Sequence, residues 1–196
     1  VATKAALAGG AITLKYFQKL KRVSLKQNAS LVSEADQESE AKIKDIILTR
    51  YPDHQFLGEE GGMVEGKSLA LWHVDPLDGT TNYVHGFPFF CVSIGLEVGG
   101  HLEVAVVYAP LLKQLYTATR GGGAYLNGKP IHVSGTKRLQ DSLLATGFSY
   151  VGRKYLDKEI RDFKKLSGYA RGVRRAGSAA LDFCMVASGV FDGFWE

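Results

Sequence analysis

Cysteine is nearly absent: Cys91 falls in a strand-like run and Cys184 in a helical one, and their spacing suits neither a zinc site nor a disulfide framework. Both read as reduced, packed thiols. Long apolar runs are missing as well. No stretch approaches the roughly 20 apolar residues of a membrane span, and the first residues lack the apolar core of a secretory signal, so the expected setting is the cytoplasm with no membrane partner. The five histidines show no metal-like clustering and read as structural or surface residues. Acidic residues are missing before Glu34, and residues 150–175 hold nine basic side chains against three acidic ones within a net charge of +4. Aromatic residues do not alternate with these basic ones as a base-stacking platform requires. The excess therefore reads as solvated helix surface, with attraction of an anionic substrate or nucleic acid as the alternative. No internal repeat or low-complexity segment occurs. What remains is a chain of 196 residues with 45% apolar content, enough to bury a substantial core in one or two packed units.

The densest chemistry lies in LALWHVDPLDGTTNYVHGFPFFCV, residues 69–92. Residues 70–74 are apolar enough for a buried strand that delivers Asp75 to a turn, and Pro76 is expected to stop the ladder there. Leu77, Asp78, Gly79, Thr80, Thr81 and Asn82 follow. Mg²⁺ prefers hard oxygen ligands and takes one or two carboxylates together with phosphate oxygens and water. Asp75 and Asp78, held by a proline turn, can converge on one ion or bridge two. Gly79 lets a phosphate approach the main chain, where the N–H groups of Gly79 and Thr80 form a small anion nest. The Thr80 hydroxyl can orient a water. A purely structural Asp-Gly corner is the alternative reading of this stretch. An EF-hand fits worse because Leu77 and Gly79 occupy positions that need oxygen ligands, and an aspartyl-phosphate hydrolase fits worse because it usually has one residue between its aspartates. Just upstream, Leu57, Gly58, Glu59, Glu60 and Gly61 place adjacent carboxylates in a glycine-flanked turn, either a solvated surface or partners of the same site.

In chain order, Ala5, Ala8, Ile12, Tyr16 and Leu20 predict a helix over 2–22, weakened locally by Gly9-Gly10. A polar turn spans 26–31. Ser33 caps a second helix with Asp36 three residues on, and Tyr51-Pro52 ends it. Strands are predicted at 56–57, 68–74, 89–98, 102–108, 114–119, 124–126 and 131–133, and their short connections suggest an antiparallel sheet. A further strand begins over 142–146. Leu156, Ile160, Phe163 and Leu166 mark an amphipathic helix. Ser178 is expected to cap a helix over 179–187, whose N-terminus suits an anion or hydroxyl, and 190–195 reads as a strand.

GEE, WHVDPLDGTTNYVHGFPFFCVSIGL and VRRAGSAALDFCMVASGVFDGFWE, in that order over essentially the whole chain, resemble the inositol monophosphatase family, and its bacterial members most. The resemblance implies an α+β fold, a layered α/β/α/β/α sandwich with a large antiparallel sheet. Residues 1–136 would form an N-terminal α+β part with the metal site, and 137–196 the start of a C-terminal α/β part. The family continues past the FWE-like segment to a Trp-Asp pair that completes the second metal site, so the resemblance also implies a fragment with an incomplete last layer. It implies Mg²⁺-dependent hydrolysis of a small phosphate monoester, inositol 1-phosphate first, using two or three ions and inhibited by lithium. Glu59, Asp75 and the Leu77 carbonyl would hold the first ion, and Asp75 and Asp78 the second. Glu59 and Thr80 would activate the attacking water. Asp78, Gly79, Thr80, the Ala179 amide and Glu196 would contact substrate, with Lys26, Asp36 and Glu60 in the outer shell. Alternative substrates are histidinol phosphate, a bisphosphate nucleotide or a sugar bisphosphate. The implied assembly is a homodimer, and some bacterial relatives also serve in transcription antitermination complexes.

Overall fold

The computed structural model describes residues 1–20, 23–25, 31–148 and 155–196. Helix α1, Ala2–Tyr16, buries a stripe of small residues, Ala2, Ala5, Ala6, Gly9, Gly10 and Thr13. This differs from the expected apolar stripe through Ala8, Ile12 and Tyr16. The glycine pair is a close-approach surface: a Cβ on Gly9 would lie 2.7 Å from Ile43 Cδ1, and one on Gly10 would lie 2.5 Å from Tyr108 Cδ1. The helix stops at Tyr16, short of the expected residue 22. A short hairpin, β1 (Val23–Leu25) and β2 (Leu31–Ser33), leads into α2, Glu34–Arg50. The predicted turn over 26–31 falls outside the described residues except for Leu31, which belongs to β2. Ser33 and Asp36 form the reciprocal capping box that their spacing implied, and Tyr51 is the C-cap.

The large sheet contains β3 (Gln55–Gly58), β4 (Gly62–Val64), β5 (Ala70–Asp78), β6 (Cys91–Val98), β7 (His101–Ala109), β8 (Gln114–Thr119), β9 (Gly123–Leu126) and β10 (Lys129–Pro130). Its spatial order is β10-β9-β8-β7-β6-β5-β3-β4. Every pair is antiparallel except β3 with β5. The expected strand over 131–133 does not form; pairing with β9 falls on Lys129–Pro130, and Ile131 N adds one bond to Ala124 O. Phe56, Trp72, Val74, Val92, Ile94 and Val106 point from one face of the sheet into a core shared with Ala5, Ala6, Ile43 and Ile47 of the two helices. Burial of these apolar side chains is what fixes the helices to the sheet.

Pro76 does not end its strand. β5 pairs Asp75 with Ser93 and then Asp78 with Cys91, so three steps on β5 match two on β6. The extra residue is a bulge, which takes the proline, with no N–H to offer, out of the ladder while pairing resumes beyond it. Gly79 then turns the chain at φ 93°, and Thr80–Val84 forms a short helix, α3.

A second sheet has the order β12-β11-β13 and is wholly parallel, built from β11 (Leu143–Thr146), β12 (Gly172–Arg174) and β13 (Gly193–Trp195). Between its strands run α4, Leu156–Ser167, and α5, Ala179–Ala187. The expected strand over 190–195 shortens to three residues because the amides of Val190 and Phe191 bond to Met185 O at the end of α5. Helix α5 packs Leu181 against Cys91, Ala109 and Tyr116 on the other face of the large sheet. The order of layers is thus α1/α2, large sheet, α5, small sheet, an α+β arrangement. Among the described residues no helix is long and apolar enough to cross a membrane.

Candidate active site

Parallel pairing of β3 with β5 positions the acids. Gly58 stands opposite Val74, so both strands deliver their next residues, Glu59 and Asp75, side by side. Glu59 N donates to Val74 O at 3.1 Å, which ties the two ends together. The bulge then carries Asp75, Leu77 and Asp78 into a cleft of about 230 Å³. Glu59, Asp75, Leu77, Asp78, Gly79, Thr80, Ala179 and Glu196 all line it, joined by Thr146, Arg175, Asp182 and Phe194. Asp36 and Glu60 are not among its lining residues, and Lys26 lies outside the described residues.

Burial pushes the Asp75 carboxyl well above the usual carboxylate range, and the charges of Asp78 and Glu59 push it further. Burial also raises Asp78, opposed by hydrogen bonds from Ser178, the Ala180 amide, Cys91 and the Ala179 amide. Ser178 Oγ is 2.6 Å and Ala180 N 2.8 Å from Asp78 Oδ2. This corrects the expected role of Ser178. It occupies the N-cap position of α5 but makes no side-chain cap bond; its hydroxyl serves Asp78, and the Asp78 carboxylate takes the helix amide in its place. The positive end of the helix dipole favours an anion there.

Asp36 is fully buried. Its Oδ2 accepts from Ser33 N at 2.8 Å, and its Oδ1 lies 3.3 Å from Thr80 Oγ1, so the capping residue of α2 also reaches the cleft wall. Burial raises the Asp36 carboxyl despite the Ser33 and Thr80 bonds that lower it. Thr80 Oγ1 also lies 3.0 Å from Leu77 O. A hydroxyl has one proton, so Thr80 serves one of these acceptors at a time and keeps lone pairs for a third partner.

Several residues at the site carried no functional signal in the sequence. Glu40 accepts from Glu60 N and Gly61 N, each at 2.7 Å, and so holds the GEE turn. Asn82 Nδ2 donates to Phe89 O and Ala176 O, both at 2.8 Å, pinning the residues before α5 to the turn that follows Asp78. Cys91 Sγ lies 3.8 Å from Asp78 Oδ2, and burial followed by the Asp78 charge drives its thiol well up, so it is inert. Burial, followed by the Asp78 charge, pushes Asp182 up to about 7. An Asp four residues into a helix gives no local hint of that.

Two parallel strands, a proline bulge and a helix N-terminus together gather carboxylates around a small cleft on a layered α+β scaffold. The sequence profile of the inositol monophosphatase family matches residues 1–196, and the chain belongs to that family. It is 46% identical to the inositol-1-monophosphatase of Rhizobium meliloti over 89% of this chain and 66% of that one. It is 42% identical to Nus factor SuhB of Pseudomonas aeruginosa over 100% of this chain and 75% of that one. The crystal structure of extragenic suppressor protein suhB from Bartonella henselae superposes with a TM-score of 0.94 at 40% identity, over 98% of this chain and 75% of that one. The chain thus spans just under two thirds of the length of the Rhizobium relative and three quarters of the other two. The family is generally Mg²⁺-dependent.

Proposed function

We propose that this protein hydrolyses a small phosphate monoester with Mg²⁺, inositol 1-phosphate being the leading substrate. The carrying observation is the convergence of Glu59, Asp75, Leu77, Asp78 and Thr80 on one cleft. The donor set suits the ion. Burial, then the charges of Asp78 and Glu59, raise the Asp75 carboxyl, a condition that a divalent cation relieves. Among the described residues no three acidic, histidine or cysteine groups form a ready-made cage. Mg²⁺ does not require one, because it commonly keeps waters and takes substrate phosphate oxygens.

Glu59, Asp75 and the Leu77 carbonyl would hold one ion, and Asp75 and Asp78 a second. When bound, Mg²⁺ supplies charge neutralisation at the phosphoryl oxygens and a lowered pKa for water. The chain's own residues would do the rest. The Gly79 and Thr80 amides hold a phosphate oxygen. Thr80 directs its proton to Leu77 O or Asp36 Oδ1 and accepts a hydrogen bond from the attacking water, whose proton passes to Glu59. The Ala179 amide, giving up its bond to Asp78, and Glu196 would grip hydroxyls of the leaving alcohol, and Asp36 and Glu60 would support the metal-holding residues. Phosphate release from a panel of inositol, histidinol, nucleotide and sugar phosphates, with Mg²⁺ and with excess chelator, tests the reading. Equal turnover in chelator sinks it.

The name of the Pseudomonas relative, Nus factor SuhB, favours a second role beside catalysis, contact with transcription machinery. Capture of RNA polymerase components by the tagged protein tests it. The proposal includes a homodimer, a cytoplasmic setting and a division into parts at residues 1–136 and 137–196.

A further inference from the structure

We propose that Glu40 is a positioning residue that sets the placement of Glu59 against Asp75, and so the affinity of the site for a divalent cation. The inference rests on the proposed metal-dependent function.

Glu40 is only 5% exposed, an unusual place for a carboxylate. It stands against the backbone of a turn that itself carries two carboxylates, Glu59 and Glu60, so a further negative charge is unfavourable unless something specific holds it. What holds it is the backbone of that turn: Glu40 Oε2 accepts from Glu60 N and Oε1 from Gly61 N, each at 2.7 Å. Two consecutive amides taken by the two oxygens of one carboxylate fix the orientation of the peptide planes on either side of Glu60. With Glu59 N tied to Val74 O, the segment that carries the Glu59 side chain is held at both ends.

The flanking glycines make room for this clamp. A Cβ on Gly58 would stand 2.4 Å from the Glu40 carboxyl carbon, and one on Gly61 would stand 2.7 Å from Oε1. Two glycines bracketing the acids therefore answer to a residue on another element, not to the turn alone. Helix α2 continues the pattern. Ser39 Oγ donates to Pro76 O at 3.2 Å, and Asp36, one turn before Glu40, approaches Thr80. Residues 36, 39 and 40 share one helix face. That face touches both acid-bearing segments, while Ile43 and Ile47 of the same helix are locked in the core. The helix is thus a rigid spacer between the GEE turn and the DPLDGT bulge, and Glu40 is its contact with the first. Outer groups that orient metal ligands are commonly worth about 10-fold to 100-fold in affinity.

The test is direct binding of Mn²⁺, as a paramagnetic stand-in for Mg²⁺, followed by electron paramagnetic resonance on wild type, Glu40→Gln, Glu40→Asp and Ile47→Val, with near-UV circular dichroism as the check of folding. Gln presents one acceptor where two amides ask for one each, and Asp keeps the charge but is one methylene short. Both are expected to bind Mn²⁺ about 10-fold to 100-fold more weakly. Ile47→Val, a core change on the same helix away from the turn, is expected to lower thermal stability and keep wild-type affinity, which separates positioning from general loosening. If Glu40→Gln does not fold, Glu40→Asp is read alone. Wild-type affinity in a folded Glu40 variant overturns the inference and leaves the proposed function standing. A wild-type protein that binds no Mn²⁺ removes the proposed function, and the inference with it.

Discussion

Ser178 donates its hydroxyl to Asp78 at 2.6 Å across 100 positions of chain. The contact joins the bulge of the large sheet to the start of α5, the helix that separates the two sheets, and the Ala180 amide reinforces it at 2.8 Å. A carboxylate from one element thereby satisfies a helix end belonging to another, and that helix end steadies a charge that burial alone would suppress. Site assembly and packing of the layers are the same event here.

Ser178→Ala should therefore cost more than a surface serine. Hydrogen bonds to charged groups contribute about 1.5–3 kcal/mol, and the loss is expected near 2 kcal/mol by urea unfolding. Ser178→Thr, which keeps the hydroxyl, should recover most of it. An unchanged midpoint in Ser178→Ala would contradict the account.

Asp75→Asn is expected to trade function against stability. The Asp75 carboxyl is raised by burial and by Asp78 and Glu59, so its charged form is the disfavoured one. In metal-free wild type, stability falls as pH rises from the unfolded carboxylate range towards the raised folded value, because the folded state binds the extra proton. The neutral amide removes that penalty. Asp75→Asn in chelator should melt higher than wild type in alkaline buffer, while phosphatase activity falls at least about 10³-fold. Glu60→Gln, at a residue that does not line the cleft, should lose much less activity. Similar kcat losses in the two variants would contradict the ranking.

What the sequence revealed and what it concealed divide along physical lines. The bounds of β8 and α5 match their predicted spans because alternation and helical spacing are local signals. DPLDGT and GEE were visible because glycine, proline and clustered acids have few other uses together. Strands at 56–57 and 68–74 were expected to bring the GEE turn and Asp75 together, but the parallel sense of the β3–β5 pairing was not visible, since a four-residue strand has too few positions to specify it. β4 and β12, three residues each, escaped for the same reason. Pro76 suggested a stop because the bulge that accommodates it is visible only from the partner strand. Glu40 looked like any charge on a helix; its partners are backbone amides 20 and 21 residues away, and backbone has no sequence signature.

Gly10→Ala sets local propensity against packing. In an isolated helix the change should gain about 1 kcal/mol. In the fold the new methyl would stand 2.5 Å from Tyr108 Cδ1 and 2.6 Å from Cε1, so α1 must move off β7 or the tyrosine must turn. Overpacking of this kind costs about 1–3 kcal/mol. A net loss near 1–2 kcal/mol is expected, seen as a lower melting temperature by calorimetry. A rise in melting temperature would mean the contact yields freely and the glycine pair is only a weak point of the helix.

Asp182 is 1% exposed, and its Oδ1 has no hydrogen-bond partner among the described residues. Burial, then the charge of Asp78, push its carboxyl up to about 7, with Arg175 opposing and Glu196 adding to the rise. Between the unfolded value near 4 and the folded value the native state holds a proton that the unfolded chain has released. Stability contributed by this group is therefore complete below about pH 4 and is lost as pH rises towards about pH 7. The shift sets a ceiling of about 4 kcal/mol, and relaxation with water penetration brings the expected effect to on the order of 2 kcal/mol. Asp182→Asn removes the titration and keeps the shape. In chelator, the stability of the variant relative to wild type should grow between about pH 4 and about pH 8 by that amount and level off above. A difference that does not change with pH would show that Asp182 is ionised throughout, held so by the Arg175 guanidinium, and would make it one half of an ion pair in place of a protonated acid.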